Sequence, residues 1–289
     1  MQLRIHDDPM SFLADAGAFL RAAEAENSII ATPVAGMIAA PDADEAGAYL
    51  GCAVDRGRVI AAALHSSGGV LVTGGPEAAF ELFAADMAGR NRRPRSVVGP
   101  LASCEAFARV WRERTGYAYA LRFQLRHFVL TDAPAAPRAS GTMRLPERSE
   151  DELIADWQVA FVVEAGLPDD AARVRASLAR RIERGLVRVW DDDGAVCFAG
   201  YAEIDKETEH GAARIAPVYT PPARRGCGYA SALVVALSRE LLGNGKRAIF
   251  LTTDLANPTS NSIYRKIGYR AVADHFHFDF QAAPAADSA

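Results

Sequence analysis

The residues whose types and spacing could do chemistry gather between Ile215 and Tyr269. Ile215 to Ser231 reads as an apolar strand, a loop carrying Arg224, Arg225, Gly226 and Gly228, and the start of a helix. Ala230, Leu233, Val234, Leu237 and Leu241 recur at helical spacing beyond the loop. A strand that turns into a helix leaves unpaired backbone N–H groups at the positive end of that helix. Glycines let an anion approach those amides and the arginines add charge. The run therefore has the chemistry of a pyrophosphate cradle. Further on, Asn257 suits a helix N-cap, Pro258 the first helical position and Gly268 a left-handed helix end, so 257–267 reads as a short helix carrying Tyr264.

Three kinds of anion site could claim the glycine loop. A P-loop needs Gly-Lys-Ser/Thr at its end, and Gly228-Tyr229-Ala230 has no such lysine. A dinucleotide fingerprint wants Gly or Ala where Ser231 stands, then an acid after the next strand. Asp254 does end the strand 248–253, but the 35 residues after it are too few for the second half of such a fold.

The third claimant rests on both motifs together. The chain resembles the GNAT acyl-CoA N-acyltransferases, whose glycine loop is written Q/R-x-x-G-x-G/A and whose later helix is written N-x-x-A-x-x-x-Y-x-K-x-G-F/Y. Asn257, Tyr264, Lys266, Gly268 and Tyr269 match the second pattern, with Ser260 in the small-residue place. Gly226 and Gly228 match the first, with Ala223 where Gln or Arg is usual; Arg224 and Arg225 could compensate. The phrase Val218-Tyr219-Thr220-Pro221-Pro222 is similar to the subgroup with FR47-like C-terminal domains. The resemblance covers roughly residues 142–280.

The resemblance implies an α/β (α+β) GNAT fold, a mixed and mostly antiparallel sheet flanked by helices, with acetyl-CoA as cosubstrate and no metal. It implies CoA contacts from Val218, Tyr219, Arg224, Arg225, Gly226, Cys227, Gly228, Tyr229, Ala230, Asn257 and Ser260. Val218 would act through its backbone on the pantetheine arm. Tyr264 would protonate the thiolate that leaves when an amine attacks the thioester; the other reading is a core aromatic beside Ile263 and Ile267. No general base stands out. Thr252 occupies the place where a glutamate often stands, and Asp254 and Glu203 are the candidates, each also readable as solvated or structural. Trp157, Phe161 and Glu164 share a helix face that could line the acceptor pocket or pack the core. His275, His277 and Asp279 share one strand face opposite Phe276, Phe278 and Phe280, which alternation of core and outer face explains without metal. Cys227 reads as a small filler between the cradle glycines.

The elements that must hold these residues fit a chain of 289 residues, half of them hydrophobic, which is enough for two domains. No apolar run is of membrane-spanning length, and no basic segment followed by an apolar core opens the chain. Cys52, Cys104, Cys197 and Cys227 are widely spaced, which fits a reducing cytoplasm better than a disulfide framework or zinc site. A net charge of −4 gives no reason to expect nucleic acid.

Residues 131–141 are Pro/Ala-rich and read as a linker between residues 1–130 and 142–281, with a disordered tail at 282–289. Before the linker, 11–26, 76–88 and 105–114 read as helices, and 49–54, 59–64, 70–73, 96–99 and 119–130 as strands. After it come a first strand at 142–145, helices at 149–164 and 169–184, strands at 186–190, 196–204 and 213–220, the cradle helix, the strand 248–253, the helix 257–267 and two final strands. Arg95-Ser96-Val97-Val98 precedes Arg247-Ala248-Ile249-Phe250 by 152 residues, and Thr115-Gly116-Tyr117 faces Ile267-Gly268-Tyr269 at the same offset. This suggests an internal duplication, two tandem GNAT-like domains; two unrelated α/β halves with a common rhythm is the other reading. The first copy would be degenerate, with Gly74-Gly75 in the loop position and Arg112 in place of Tyr264. The functional expectation is acetyl transfer to a primary amine by direct attack in a ternary complex. The acceptor would be a small molecule or peptide, with neither membrane nor nucleic acid as partner, and the protein a cytoplasmic monomer or homodimer. The alternative is a non-catalytic acyl-CoA-binding or sensing protein.

Overall fold

The computed structural model describes residues 1–39, 47–66, 69–167, 170–204 and 211–282. The first half of the chain runs β1 (Gln2–His6), α1 (Pro9–Ala22), α2 (Glu24–Ala39), β2 (Tyr49–Asp55), β3 (Arg58–His65), β4 (Val70–Val72), α3 (Glu77–Gly89), β5 (Ser96–Gly99), α4 (Leu101–Thr115) and β6 (Ala118–Leu130). The second runs β7 (Thr142–Arg144), α5 (Asp151–Glu164), α6 (Ala171–Glu183), β8 (Val187–Asp191), β9 (Ala195–Ile204), β10 (Ala212–Tyr219), α7 (Tyr229–Gly243), β11 (Ile249–Asp254), α8 (Pro258–Lys266) and β12 (Arg270–Gln281). Both halves follow one order: strand, two helices, three strands, helix, strand, helix, strand. The 152-residue offset seen in the sequence is thus an offset between matching elements.

Local signals explain most boundaries. Asp170 accepts hydrogen bonds from the amides of Ala172 and Arg173, at 2.9 and 3.0 Å, and so caps α6; Asp169 lies outside the described residues. Gly116 ends α4 at φ 75° and Gly268 follows α8 at φ 104°, the left-handed conformation a helix end requires. Two elements had no legible signal. β1 is a short run at the start of the chain. α2 is apolar on most sides and has Pro33 inside it, so it shows no helical stripe; burial of Ile29, Ile30, Val34 and Met37 holds it in place. The two expected final strands are one, β12, because His275 to Phe280 alternates without a turn residue.

The chain divides into two compact units that do not follow chain order. The first comprises residues 1–127, 253–257 and 272 onward; the second comprises 128–252 and 258–271. In the first unit the strand order is β1-β2-β3-β4-β5-β12-β6. β12, from the second half of the chain, pairs antiparallel with β5 from Phe276 opposite Gly99 to Asp279 opposite Ser96. Its Phe278 and Phe280 enter the core formed by Phe80, Phe83, Phe107 and Trp111. His275 and His277 are also buried, against His127 and Phe123, so both faces of this strand are covered and neither is an outer face. In the second unit the order is β11-β10-β9-β8-β7. These pairs are antiparallel except β10 with β11, as β4 with β5 is the parallel pair of the first unit. No helix among the described residues is long and apolar enough to cross a membrane.

Candidate active site

The site in the second unit begins where two strands part. β10 and β11 pair at Ala213 with Ile249 and at Arg214 with Phe250, and no pair follows although β10 continues to Tyr219. On its other edge β10 carries a bulge. Ile215 opposes Tyr201, while Val218 opposes Ala199. The extra residue breaks the strict alternation of sides. Ile215 and Val218 therefore share the face that packs against α7, whereas Tyr219 packs on the opposite face with α5 and α6.

The cradle follows directly. Gly226 and Gly228 adopt φ 83° and 84°, which L side chains rarely take, and a Cβ at either would meet nothing within 4 Å. The glycines are there for backbone conformation, and the space beside them is open. Gly228 is the N-cap of α7 and offers no side-chain cap, and the first turn of α7 holds no acid. The helix thus presents its first-turn amides at its positive end.

The side chains around the cradle are tied down. Glu164, at the end of α5, accepts from Tyr219 Oη at 2.8 Å and from Arg225 Nη2 at 2.6 Å. These two hydrogen bonds, Tyr219 first, hold its carboxyl below the usual range. Arg225 also donates from Nε to the Thr220 carbonyl at 2.9 Å and lies over the Tyr219 ring. Tyr229 donates to Asp192, which also accepts from Ser140 at 2.8 Å. Arg224 and Cys227 are exposed, and Ala230 is half-buried.

Tyr264 sits on α8, partly exposed, with Phe128 at 6.0 Å and Tyr269 edge-on at 5.9 Å between ring centroids. Burial pushes its phenol up to about 12. Tyr269 has its own partner, Ser238, at 2.8 Å. The Tyr264 hydroxyl has no hydrogen bond among the described residues. Val218, Tyr229 and Tyr264 all pack against one core cluster, containing Leu233, Ile215 and Leu251. The structure thus brings strand, cradle and phenol onto one body. Ser260, on α8, belongs to the same unit, whereas Asn257 belongs to the other.

The base candidates have partners of their own. Glu203 is ion-paired with Lys246 at 3.1 Å. Asp254 accepts from the Ala256 amide at 2.8 Å and belongs to the first unit. Trp157 stacks on Phe198 at 6.4 Å and, with Phe161, packs against the core between α5, α6 and the sheet. His277 donates or accepts at 2.9 Å with Asp279. No group of three or more metal-ligating side chains occurs among the described residues. Arg181 and Arg214, which sequence reasoning did not single out, are one arginine in the arginine-rich helix α6 and one charge in an otherwise apolar strand.

The corresponding place in the first unit differs. The loop between β4 and α3 is Thr73-Gly74-Gly75-Pro76, with no basic residue, and Glu77 occupies the first turn of α3. A Cβ at Gly75 would lie 2.7 Å from the Ile60 carbonyl oxygen. Arg112, in the place of Tyr264, lies over the Tyr119 ring.

The second unit thus holds a parallel strand pair that parts beside a helix with a glycine at its N-cap. Residues 150–269 match the acetyltransferase (GNAT) family. Residues 150–269 thus carry a GNAT acetyltransferase domain. Solved structures of similar fold span nearly the whole chain. A GCN5-related N-acetyltransferase from Sphaerobacter thermophilus has TM-score 0.60 at 16% identity, covering 99% of this chain and 97% of that one. A GNAT-family acetyltransferase from Colwellia psychrerythraea has TM-score 0.56 at 13% identity, covering 98% and 100%. A tandem GNAT protein from the clavulanic acid biosynthesis pathway has TM-score 0.57 at 12% identity, covering 99% and 100%. At such identities the likeness is one of fold. A search of curated protein sequences gives no match.

Proposed function

We propose that the protein is a cytoplasmic N-acetyltransferase that moves acetyl from acetyl-CoA to a primary amine, with the catalytic machinery in the second unit and the first unit a GNAT-like body without a working cradle. The observation that carries this reading is the opening between β10 and β11 beside an uncapped, acid-free helix N-terminus with positive-φ glycines. The amides of 226–230, with Arg224 and Arg225, suit a pyrophosphate. The backbone of Val218 and Tyr219 suits an amide-bearing arm laid along the unpaired edge, with Ser260 of the same unit supporting from α8. Acetyl-CoA supplies the activated thioester.

The amine nitrogen forms the new N–C bond as the C–S bond breaks. The departing thiolate takes the proton of the Tyr264 hydroxyl, the amine's surplus proton passes to solvent, and the phenolate regains a proton from solvent to complete the cycle. A phenol held neutral by burial, whose hydroxyl has no hydrogen bond among the described residues, is suited to that donation. Four unpaired cysteines, three of them buried, favour a reducing compartment. The experiment is a melting-temperature titration with CoA and with NAD, followed by thiol-release assays over amines, amino acids, aminoglycosides and peptides. CoA should raise the melting temperature by mass action. A rise with NAD and none with CoA would discard the reading.

A further inference from the structure

Two guanidinium groups lie on the face of the second unit's sheet that α5 and α6 cover, beside the β10 bulge, and neither has a carboxylate partner among the described residues. Arg181, on α6, reaches across β9 and β10. Its Nη2 donates to the Ala216 carbonyl at 2.5 Å and to the Tyr201 carbonyl at 3.3 Å. The sheet makes room for it: a Cβ on Gly200 would lie 2.3 Å from that same Nη2. Arg214, on β10, donates from Nη2 to Thr252 Oγ1 at 3.2 Å, while its Nε is buried without an acceptor. The two repel each other, and burial lowers both from the usual guanidinium range, to about 10. The nearby carboxylate, Glu203, stands opposite Ala213 in the ladder, hence on the other face of the sheet, and is paired with Lys246.

Burying one unpaired charge is costly, and burying two like charges together is costlier. Carbonyls and a hydroxyl satisfy some N–H groups but do not cancel charge. A carboxylate would do both, because a guanidinium presents paired donors that match its two oxygens. The pair stands at the bulged strand on which the acyl-transfer reading places the thioester, and this inference rests on that reading. We propose that Arg181 and Arg214 form a carboxylate receptor, and that the acceptor is an amine bearing a carboxylate, of the amino-acid class.

The test compares amino acids with their decarboxylated amines, using phenylalanine and 2-phenylethylamine, tyrosine and tyramine, histidine and histamine, lysine and cadaverine. Each is measured by melting shift on the CoA-loaded full chain and by thiol release with acetyl-CoA. The carboxylate member of at least one pair should be favoured about 10²-fold in kcat/KM, the effect of charge-assisted hydrogen bonds in a desolvated site. In Arg214→Met that ratio should collapse toward one. The melting temperature of Arg214→Met without ligand should hold or rise, because an unpaired buried charge is removed; a merely structural arginine would lower it. Preference for the decarboxylated members, a preference surviving in both Arg214→Met and Arg181→Met, or no response to any carboxylate member in protein that binds CoA overturns the proposal. So does a preference for succinyl-CoA over acetyl-CoA with no preference among amines, which would move the carboxylate to the acyl group. A chain that ignores CoA yet is stabilised by the carboxylate members would defeat the acyl-transfer reading and leave the receptor standing.

Discussion

At the scale of single residues, the distinction that matters is between a tyrosine that packs and one that reacts. Tyr264 and Tyr269 lie in ring contact, and burial raises both phenols, yet they differ in partners. The Tyr269 hydroxyl is bonded to Ser238; the Tyr264 hydroxyl has no hydrogen bond among the described residues. Tyr264→Phe keeps the ring and removes the proton, so kcat should fall about 10²-fold with acetyl-CoA affinity nearly unchanged. Steady-state kinetics on the first amine substrate checks this, and a wild-type kcat would leave protonation to solvent. With the phenol pushed up to about 12, the acid stays protonated throughout the usual assay range. Its deprotonation should therefore contribute no fall in kcat below about pH 10. Cysteine chemistry offers a second residue-scale check. Cys227 is exposed on the cradle, while Cys52, Cys104 and Cys197 are buried and their thiols raised by burial. Brief treatment with iodoacetamide should label Cys227 alone by mass spectrometry, and CoA should protect it.

At the scale of elements, the cradle works through backbone conformation. Gly228 combines a φ of 84° with the N-cap position of α7. Gly228→Asp strains that conformation and sets a negative charge where the pyrophosphate would lie, so CoA should no longer raise the melting temperature. Retention of the full shift would place the anion elsewhere. This element was legible in the sequence because turn chemistry is local: glycines, a following helical stripe, Asn257-Pro258 and Gly268 each declare themselves within a few residues. The partners of Arg225 were not legible, because Glu164 lies 61 residues away and is brought in only by the packing of α5 on the sheet. Arg181 and Arg214 were hidden for the same reason. Charge in a helix or strand looks solvated until the opposite layer is known, and the room left by Gly200 appears only in three dimensions. α2 stayed unread because a helix buried on most sides has no stripe, and Pro33 argues locally against it.

At the scale of the whole molecule, the repeat of ten elements is imperfect in a telling way: β12, from the second half, supplies the neighbour of β5 in the first unit. Phe280 lies 5.8 Å from Trp111 and 6.2 Å from Phe107, ring to ring, and Phe278 sits in the same core. Full burial of each phenylalanine is worth about 1.5–3 kcal/mol, and a domain's whole stability is about 5–15 kcal/mol. Residues 1–130 expressed alone lack both rings and leave the edge of β5 unpaired. They should therefore lack a cooperative thermal transition in circular dichroism and aggregate. A cooperative transition in that fragment would show that β12 is dispensable to the first unit. The intact chain carries the complementary prediction about function. The first unit's loop has no basic residue, its helix begins with Glu77, and Gly75 is pressed against the Ile60 carbonyl, whereas the second unit's loop is open and basic. An anion at the first loop would meet a carboxylate instead of a free helix end. Isothermal titration of the whole protein with CoA should therefore give one site per chain, and Gly228→Asp should remove it entirely. A stoichiometry of two, or a residual site in Gly228→Asp, would restore the first half as a CoA-binding domain.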